Sequence, residues 1–303
     1  MLLAKLNSDL DSKLNARTAN ASSLGEGAGS LDEAVKEATW SGTVTSNFQK
    51  ITPGKNLGRG AFGSVFAATI DGNTYAVKAL GSNNAIKDTI REVDSLRTLQ
   101  HENIMKLYAL STDEFDSLHL VMEFMPGGCL HSLLENKDIP IPFEQAFGYI
   151  QQSAAAISYI HSQGKLHRDI KPLNMLLSAD QRVLKLGDFG SVRDLQNSMT
   201  SQKGTVLYMA PEVFNGKHYN EKCDVYSWAI SMWHVLSRLI PFINFNLRNL
   251  MKAIQNGERP KLEDISYVEC TDRLKQLIAS CWQGEASIRP AMSDVLVTLE
   301  SCR

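Results

Sequence analysis

The stretch His167-Arg168-Asp169-Ile170-Lys171-Pro172-Leu173-Asn174, followed after a short interval by Asp188-Phe189-Gly190, decides how this chain is read. Any one of its Asp or Asn residues would pass for a turn former, because such side chains bond their own nearby backbone. Their joint order is harder to explain that way. Within one strand-loop-strand stretch it gathers two carboxylates and a carboxamide, hard oxygen donors of the kind Mg2+ prefers, together with the ammonium of Lys171.

Upstream, Leu57-Gly58-Arg59-Gly60-Ala61-Phe62-Gly63-Ser64-Val65 forms a second, independent block. Glycines at these positions let backbone amides approach phosphate oxygens without obstruction from Cβ. The glycine spacing alone is a weak signal. A dinucleotide-binding fingerprint would need a helix opening at the last glycine and an acid about twenty residues on. Neither appears. Val65 to Ile70 instead predicts a strand, Asp71-Gly72 a hairpin turn, and Tyr75-Ala76-Val77-Lys78 a returning strand that ends in a lysine. Lys78 needs an acidic partner, and Glu92 is the candidate. It lies on a segment, Ile86 to Thr98, whose Ile86, Ile90, Val93 and Leu96, with the following Leu99, share one helical face.

Further along, Leu118 to Met125 predicts a strand broken by Pro126-Gly127-Gly128. Phe143 to His161 predicts a long helix closing near Gly164. Asp224 to Leu236 is apolar on nearly all sides, as a helix buried in a large core would be. Residues 1–46 differ from the rest: Ser, Ala, Asn and Gly concentrate between Asn15 and Ser30, which predicts a flexible extension. Within it Leu2, Leu6, Leu10 and Leu14 recur every four residues, and Ser30-Leu31-Asp32-Glu33 has capping-box spacing.

Taken together, these blocks resemble protein kinases: the glycine-rich hairpin, the lysine strand, the catalytic loop and the metal-binding loop follow in order. The resemblance covers residues 47–303 and implies the α+β, bilobal kinase fold. An N-lobe of antiparallel sheet plus one helix would occupy 47–125, and a larger, mainly helical C-lobe 126–303. It implies ATP and Mg2+ as the cofactors, and phosphoryl transfer as the reaction, which asks for positioning and charge neutralisation rather than covalent chemistry. Asp169 would be the base, with Lys171, Lys78 and Glu92 completing the catalytic set. Asn174 and Asp188 would hold the metal, and Lys78 the α- and β-phosphates. Gly58, Gly60 and Gly63 would cover the nucleotide, with Leu57, Val65, Ala76 and Leu176 sandwiching the adenine. Met122 would be the gatekeeper, and the Glu123 and Met125 backbone would face the base. Asp224 would bond the catalytic-loop backbone, Glu212 would pair with Arg289, and Leu96, Leu107, His167 and Phe189 would stack into one column.

Within kinases, Lys171 after Asp169, and Thr205 in Gly204-Thr205-Val206-Leu207-Tyr208-Met209-Ala210-Pro211-Glu212, are similar to the serine/threonine class. Cys281-Trp282 with Arg289-Pro290 is similar to the tyrosine-kinase-like group. Leu120-Val121-Met122-Glu123, Met199-Thr200, Lys203-Gly204, Met209 to Phe214 and Tyr219 to Trp228 resemble the transforming-growth-factor-β-activated kinases, a family of MAP kinase kinase kinases. Gly187 stands where those kinases carry a cysteine. The resemblance implies MAP kinase kinases as protein substrates, an activating adaptor, and a place in stress or innate-immune signalling. Arg168 before the catalytic aspartate implies a phosphate on the following segment at Thr200, or at Ser198 or Ser201. The alternative is a pseudokinase scaffold that binds nucleotide or partners without transfer. No catalytic position is missing.

Composition agrees with these expectations. A chain of 303 residues exceeds what one core usually serves. A net charge of -2 gives no reason to invoke nucleic acid or an anionic membrane surface. No apolar run approaches spanning length, so no membrane insertion is expected. Five cysteines without a C-x-x-C pair suit reduced thiols, and a cytoplasmic location is the expectation.

Overall fold

A computed structural model describes residues 54–60, 63–70, 72–80, 93, 95–112, 118–189, 206–214 and 219–302. The extension 1–46, Glu92, and Ser198, Thr200, Ser201 and Thr205 lie outside the described residues. The described chain divides into two compact units: residues up to Arg97 with Lys106–Phe124, and Thr98–Met105 with the residues from Met125 onward.

Alternation of apolar side chains builds the first unit. Strands β1 (Asn56–Gly60), β2 (Gly63–Ile70), β3 (Asn73–Leu80), β4 (Leu107–Thr112) and β5 (Leu118–Glu123) form an antiparallel sheet in the order β1-β2-β3-β5-β4. Residues two apart share a face, so Ala68, Val77 and Val121 meet in one buried cluster with Phe66, Tyr75 and Tyr108 packed against it. Val77 lies opposite Phe66 on one side and Val121 on the other, which fixes the register of the three central strands. The expected hairpin is present. Gly72 takes φ +79° at its turn, a conformation that costs glycine little. Of the expected helix, Val93 and residues 95–98 are helical, with Val93 and Leu96 buried.

The strand expected to reach Met125 ends at Glu123. Gly127 explains the departure, because its N–H bonds Leu177 O at 3.0 Å and ties the chain to the second unit's own sheet. A Cβ on Gly127 would collide with the Ser178 carbonyl and come within 2.9 Å of Leu177 O, so the crossing needs glycine.

That second sheet is β6 (Gly128–Cys129), β7 (Met175–Leu177) and β8 (Leu184–Leu186). The helices of this unit are α1 (Leu130–Glu135), α2 (Phe143–Ser162), α3 (Pro211–Phe214), α4 (Lys222–Ser237), α5 (Leu247–Gln255), α6 (Asp272–Cys281) and α7 (Met292–Glu300). Helix α2 buries Phe147, Ile150, Ala154, Ile157 and Ile160 along one face and stops before Gly164, where φ is +66°. Helix α4 is buried from Cys223 to Ser237 and forms the centre on which α2 and α6 pack. Trp228 Nε1 ties it to α2, donating to Ser153 Oγ at 3.0 Å. At its end Arg238, at φ +56°, donates to the carbonyls of Leu133, Asn136 and Ile139 and so braces the α1–α2 connection.

Candidate active site

The loop between α2 and β7 is held by one buried aspartate on α4. Asp224 accepts the His167 N–H at 2.8 Å and His161 Nε2 at 3.0 Å through Oδ2, and the Arg168 N–H at 2.7 Å through Oδ1. Burial alone would raise this carboxyl, yet the His161 and His167 contacts hold it below the usual carboxylate range. Two backbone bonds to a fixed anion secure Arg168 at φ +71°, a conformation that a non-glycine residue rarely keeps unaided.

His167 is fully buried and links this loop to the next. Its Nε2 donates to Gly187 O at 3.0 Å, and its Nδ1 accepts the Asp169 N–H at 3.3 Å. Burial pushes the imidazole below its usual range against the pull of Asp224 and Asp169, so the neutral ring with Nε2–H satisfies both bonds. Phe189 packs edge-on against the ring, with centroids 5.0 Å apart. The expected packing role of His167, and its stack with Phe189, is therefore present within this unit.

Asp169 uses one carboxylate oxygen and its backbone carbonyl as acceptors. Its Oδ2 accepts Lys171 Nζ at 2.7 Å and Asn174 Nδ2 at 2.9 Å, and its backbone oxygen accepts Asn174 Nδ2 at 2.8 Å. The other oxygen, Oδ1, is buried and has no partner among the described residues. The short 3-10 turn Pro172–Asn174 swings Asn174 back onto Asp169, and Asn174 O accepts the Gly187 N–H at 2.8 Å. Asp188 follows at φ +58°. Asp169, Lys171, Asn174 and Asp188 are thus brought to one loop pair by α4, His167 and Gly187.

A divalent ion suits the donors present. Asn174 spends its amide N–H groups on Asp169 and keeps its carboxamide oxygen, while Asp188 adds a carboxylate. Among the described residues no group of three or more His, Cys, Asp or Glu could cage a metal alone. Two protein oxygens completed by phosphate and water are what Mg2+ accepts.

In the first unit Lys78 is buried on β3, opposite Val65 on β2 and Leu120 on β5. Ala76, two residues before it on the same face, is buried opposite Met122. Gly58 N–H bonds Asn56 Oδ1 at 2.9 Å, and Gly60 pairs with Gly63 across the hairpin mouth. Leu57 is exposed. Glu123 N–H bonds Lys106 O at 2.9 Å. Met125 and the half-buried Leu176 belong to the second unit.

The protein kinase domain family matches residues 51–298. The chain belongs to the protein kinase family. It is 37% identical over 255 residues to mitogen-activated protein kinase kinase kinase 7 of Drosophila melanogaster, a match covering 82% of this chain and 37% of that protein. Against the Homo sapiens mitogen-activated protein kinase kinase kinase 7 it is 36% identical over 258 residues, covering 82% and 41%. A probable LIM domain-containing serine/threonine-protein kinase of Dictyostelium discoideum is 32% identical over 259 residues, covering 83% and 39%. The chain spans about two fifths of the length of these relatives. The kinase fold and the likeness to MAP kinase kinase kinases, read from Met209–Phe214 and Tyr219–Trp228, are both borne out.

Three contacts in this kinase domain were not anticipated. His161 joins Asp224, although a histidine six residues before His167 carries no motif of its own. Arg168, expected to meet a phosphate on the following segment, lies 5.2 Å from the Tyr219 ring centroid in a cation–π contact. Beyond the loop, Glu212 and Arg289 pair as expected, at 2.7 and 2.9 Å, and Arg289 also lies against Tyr226. No helix among the described residues is long and apolar enough to cross a membrane.

Proposed function

We propose that this chain is an active serine/threonine kinase of the MAP kinase kinase kinase kind, passing the γ-phosphoryl group of ATP to hydroxyls of MAP kinase kinases. The half-committed carboxylate of Asp169 carries this reading: Lys171 and Asn174 pin one oxygen, and the other is left buried and unbonded. A substrate hydroxyl donating to Oδ1 would be aimed in line, and Asp169 would take its proton as the bond to phosphorus forms. Lys171 balances charge on the transferred group. By the kinase resemblance Lys78 would hold the α- and β-phosphates, with Glu92, outside the described residues, as its expected partner and Gly58, Gly60 and Gly63 as the phosphate-covering glycines. Leu57, Val65, Ala76, Met122 and Glu123 of the first unit, and Met125 and Leu176 of the second, are the residues the resemblance assigns to the adenine. Asn174 and Asp188 would hold Mg2+, which supplies charge neutralisation on the triphosphate.

Lys171, two positions after Asp169, supports Ser/Thr specificity, and the relatives' names support MAP kinase kinases as substrates. An activating adaptor, a role in stress or innate-immune signalling and a cytoplasmic setting complete the proposal on the sequence resemblance alone. Labelled ATP, magnesium and a MAP kinase kinase, run with the wild type beside Asp169→Asn, test the reading. Transfer is expected from the wild type and not from the variant. Nucleotide binding by both without transfer by either would leave the pseudokinase scaffold in its place.

A further inference from the structure

A groove of about 800 Å³ lies between α3, the end of α5 and the turn after α6, and none of its residues is assigned above to ATP, metal or phosphotransfer. Pro211, Glu212, Gln255, Arg259, Trp282 and Gly284 are among its walls. Its walls carry one acid and one guanidinium, Glu212 and Arg259. Arg289 and Lys222 lie outside the lining but close to it: the Arg259 and Arg289 guanidiniums are each 5.1 Å from the Tyr226 ring centroid, and Lys222 Nζ donates to Arg289 O at 2.6 Å. Among the described residues Glu212 is the one carboxylate within ion-pair distance of any of the three, and it is taken by Arg289.

Arg259 is therefore a cation answered by carbonyls and the Tyr226 ring, with no carboxylate among the described residues. Its Nε donates to Trp282 O at 2.7 Å, and its Nη1 to Ile254 O at 3.0 Å and Glu258 O at 2.7 Å. These bonds fix the guanidinium plane against the ends of α5 and α6. Its Nη2 makes no hydrogen bond among the described residues and lies at the wall beside Gly284, where a Cβ would be only 3.7 Å from it. A guanidinium already locked in place, half-buried and with one donor arm unspent, loses little entropy when an acid arrives.

The geometry points to this groove as a docking site for an acidic segment of a protein partner, with an Asp or Glu side chain accepting from Arg259 Nη2 as Glu212 does from Arg289. Such a charge-assisted bond favours carboxylate over a neutral amide of the same shape. Because the groove holds no ATP or metal residue, docking is independent of phosphotransfer and its failure is readable separately.

Anisotropy of a short labelled Glu-rich peptide, beside the same peptide with Gln for Glu, tests the proposal on the whole chain. The wild type is expected to bind the Glu peptide about tenfold more tightly than the Gln peptide, the size of one hydrogen bond to a charged group. Arg259→Gln should remove most of that preference, Arg259→Lys should keep part of it, and Gln255→Trp should weaken binding by crowding the groove. Turnover on a short peptide without acidic residues should be unchanged in Gln255→Trp. Equal affinity for the Glu and Gln peptides overturns the proposal, as does equal affinity of wild type and Arg259→Gln. Should Arg259→Gln fail to fold, Gln255→Trp decides, and unchanged binding by that variant also overturns it.

Discussion

The catalytic loop and the groove beside α3 are both polar clusters in the second unit, and they are incomplete in opposite senses. Around Asp169 an acceptor is left over: two donors crowd Oδ2 while Oδ1 is buried without one. Around Arg259 a donor is left over, with three carbonyls on two nitrogens and nothing on the third. Asp224 and Glu212 are the completed counterparts. Each carboxylate has both oxygens filled, the first by backbone N–H groups and His161, the second by Arg289. Leaving a buried polar group unpaired costs about 1–3 kcal/mol. An orphan atom alone does not make a site, since Tyr226 Oη and His119 Nδ1 are also buried without partners. Asp169 and Arg259 add full charge, a geometry fixed by other bonds and one arm unspent, which Arg238 shares through its buried Nε; what the first two have beyond that is a place in the catalytic loop and at the groove wall.

The sharpest way to break this comparison is Asp169→Asn. The carboxamide keeps an oxygen for Lys171, so the loop should stay folded while turnover falls about 10³-fold, the usual worth of a positioned general base. A variant with wild-type kcat would mean that the unpaired oxygen does no chemistry. Glu212→Ala comes next. It strands Arg289, whose side chain is fully buried, without its carboxylate. Breaking a buried pair this way should cost about 3 kcal/mol, read as a lower urea midpoint. An unchanged midpoint would mean that Arg289 does not depend on Glu212 for its charge balance.

Thr200→Ala tests whether Arg168, held by Asp224 and set against Tyr219, also waits for an anion. Thr200 lies outside the described residues. The expectation is a turnover at least about tenfold lower, or roughly 1.4 kcal/mol of transition-state stabilisation. Equal activity of the phosphorylated wild type and the variant, or no loss of wild-type activity on phosphatase treatment, would reject the switch.

The smallest effect concerns His234 on α4, which sits in neither cluster. Burial, with His131 and Lys137 nearby, pushes its pKa down to about 3, and it accepts the Tyr208 hydroxyl at Nδ1 over 2.9 Å. A histidine kept neutral when folded binds its proton more readily when unfolded. Stability is therefore full above the unfolded value near 6.5 and is lost as pH falls from there toward the folded value. Between about pH 8 and pH 6 this one group should cost about 0.8 kcal/mol. Melting curves of His234→Gln should be flatter by that amount, with the slope due to His167 remaining; identical slopes would place the titration elsewhere.

Legibility in the sequence varied with the range of the physics involved. The β2–β3 hairpin, the long α2 and the buried α4 rest on local periodicity and turn residues, and they formed where read, to within a residue or two at the ends. The strand toward Met125 fell short because Gly127 is captured by Leu177, a partner fifty residues away in the chain. His161 and Arg259 were missed for the same kind of reason: their roles are set by Asp224, Tyr226 and helix-end carbonyls that no spacing connects to them.

The order of residue types along this chain was enough to establish a kinase, because phosphoryl transfer demands particular side chains at short, fixed separations and those separations survive in one dimension. Which oxygen of Asp169 is spent, why Arg168 and Asp188 hold positive φ, and where three cations meet a single acid were decided only in three dimensions. Hydrogen-bond partners and charge balance are properties of neighbours in space, and the helix that gathers them, α4, stands far along the sequence from the loop it organises.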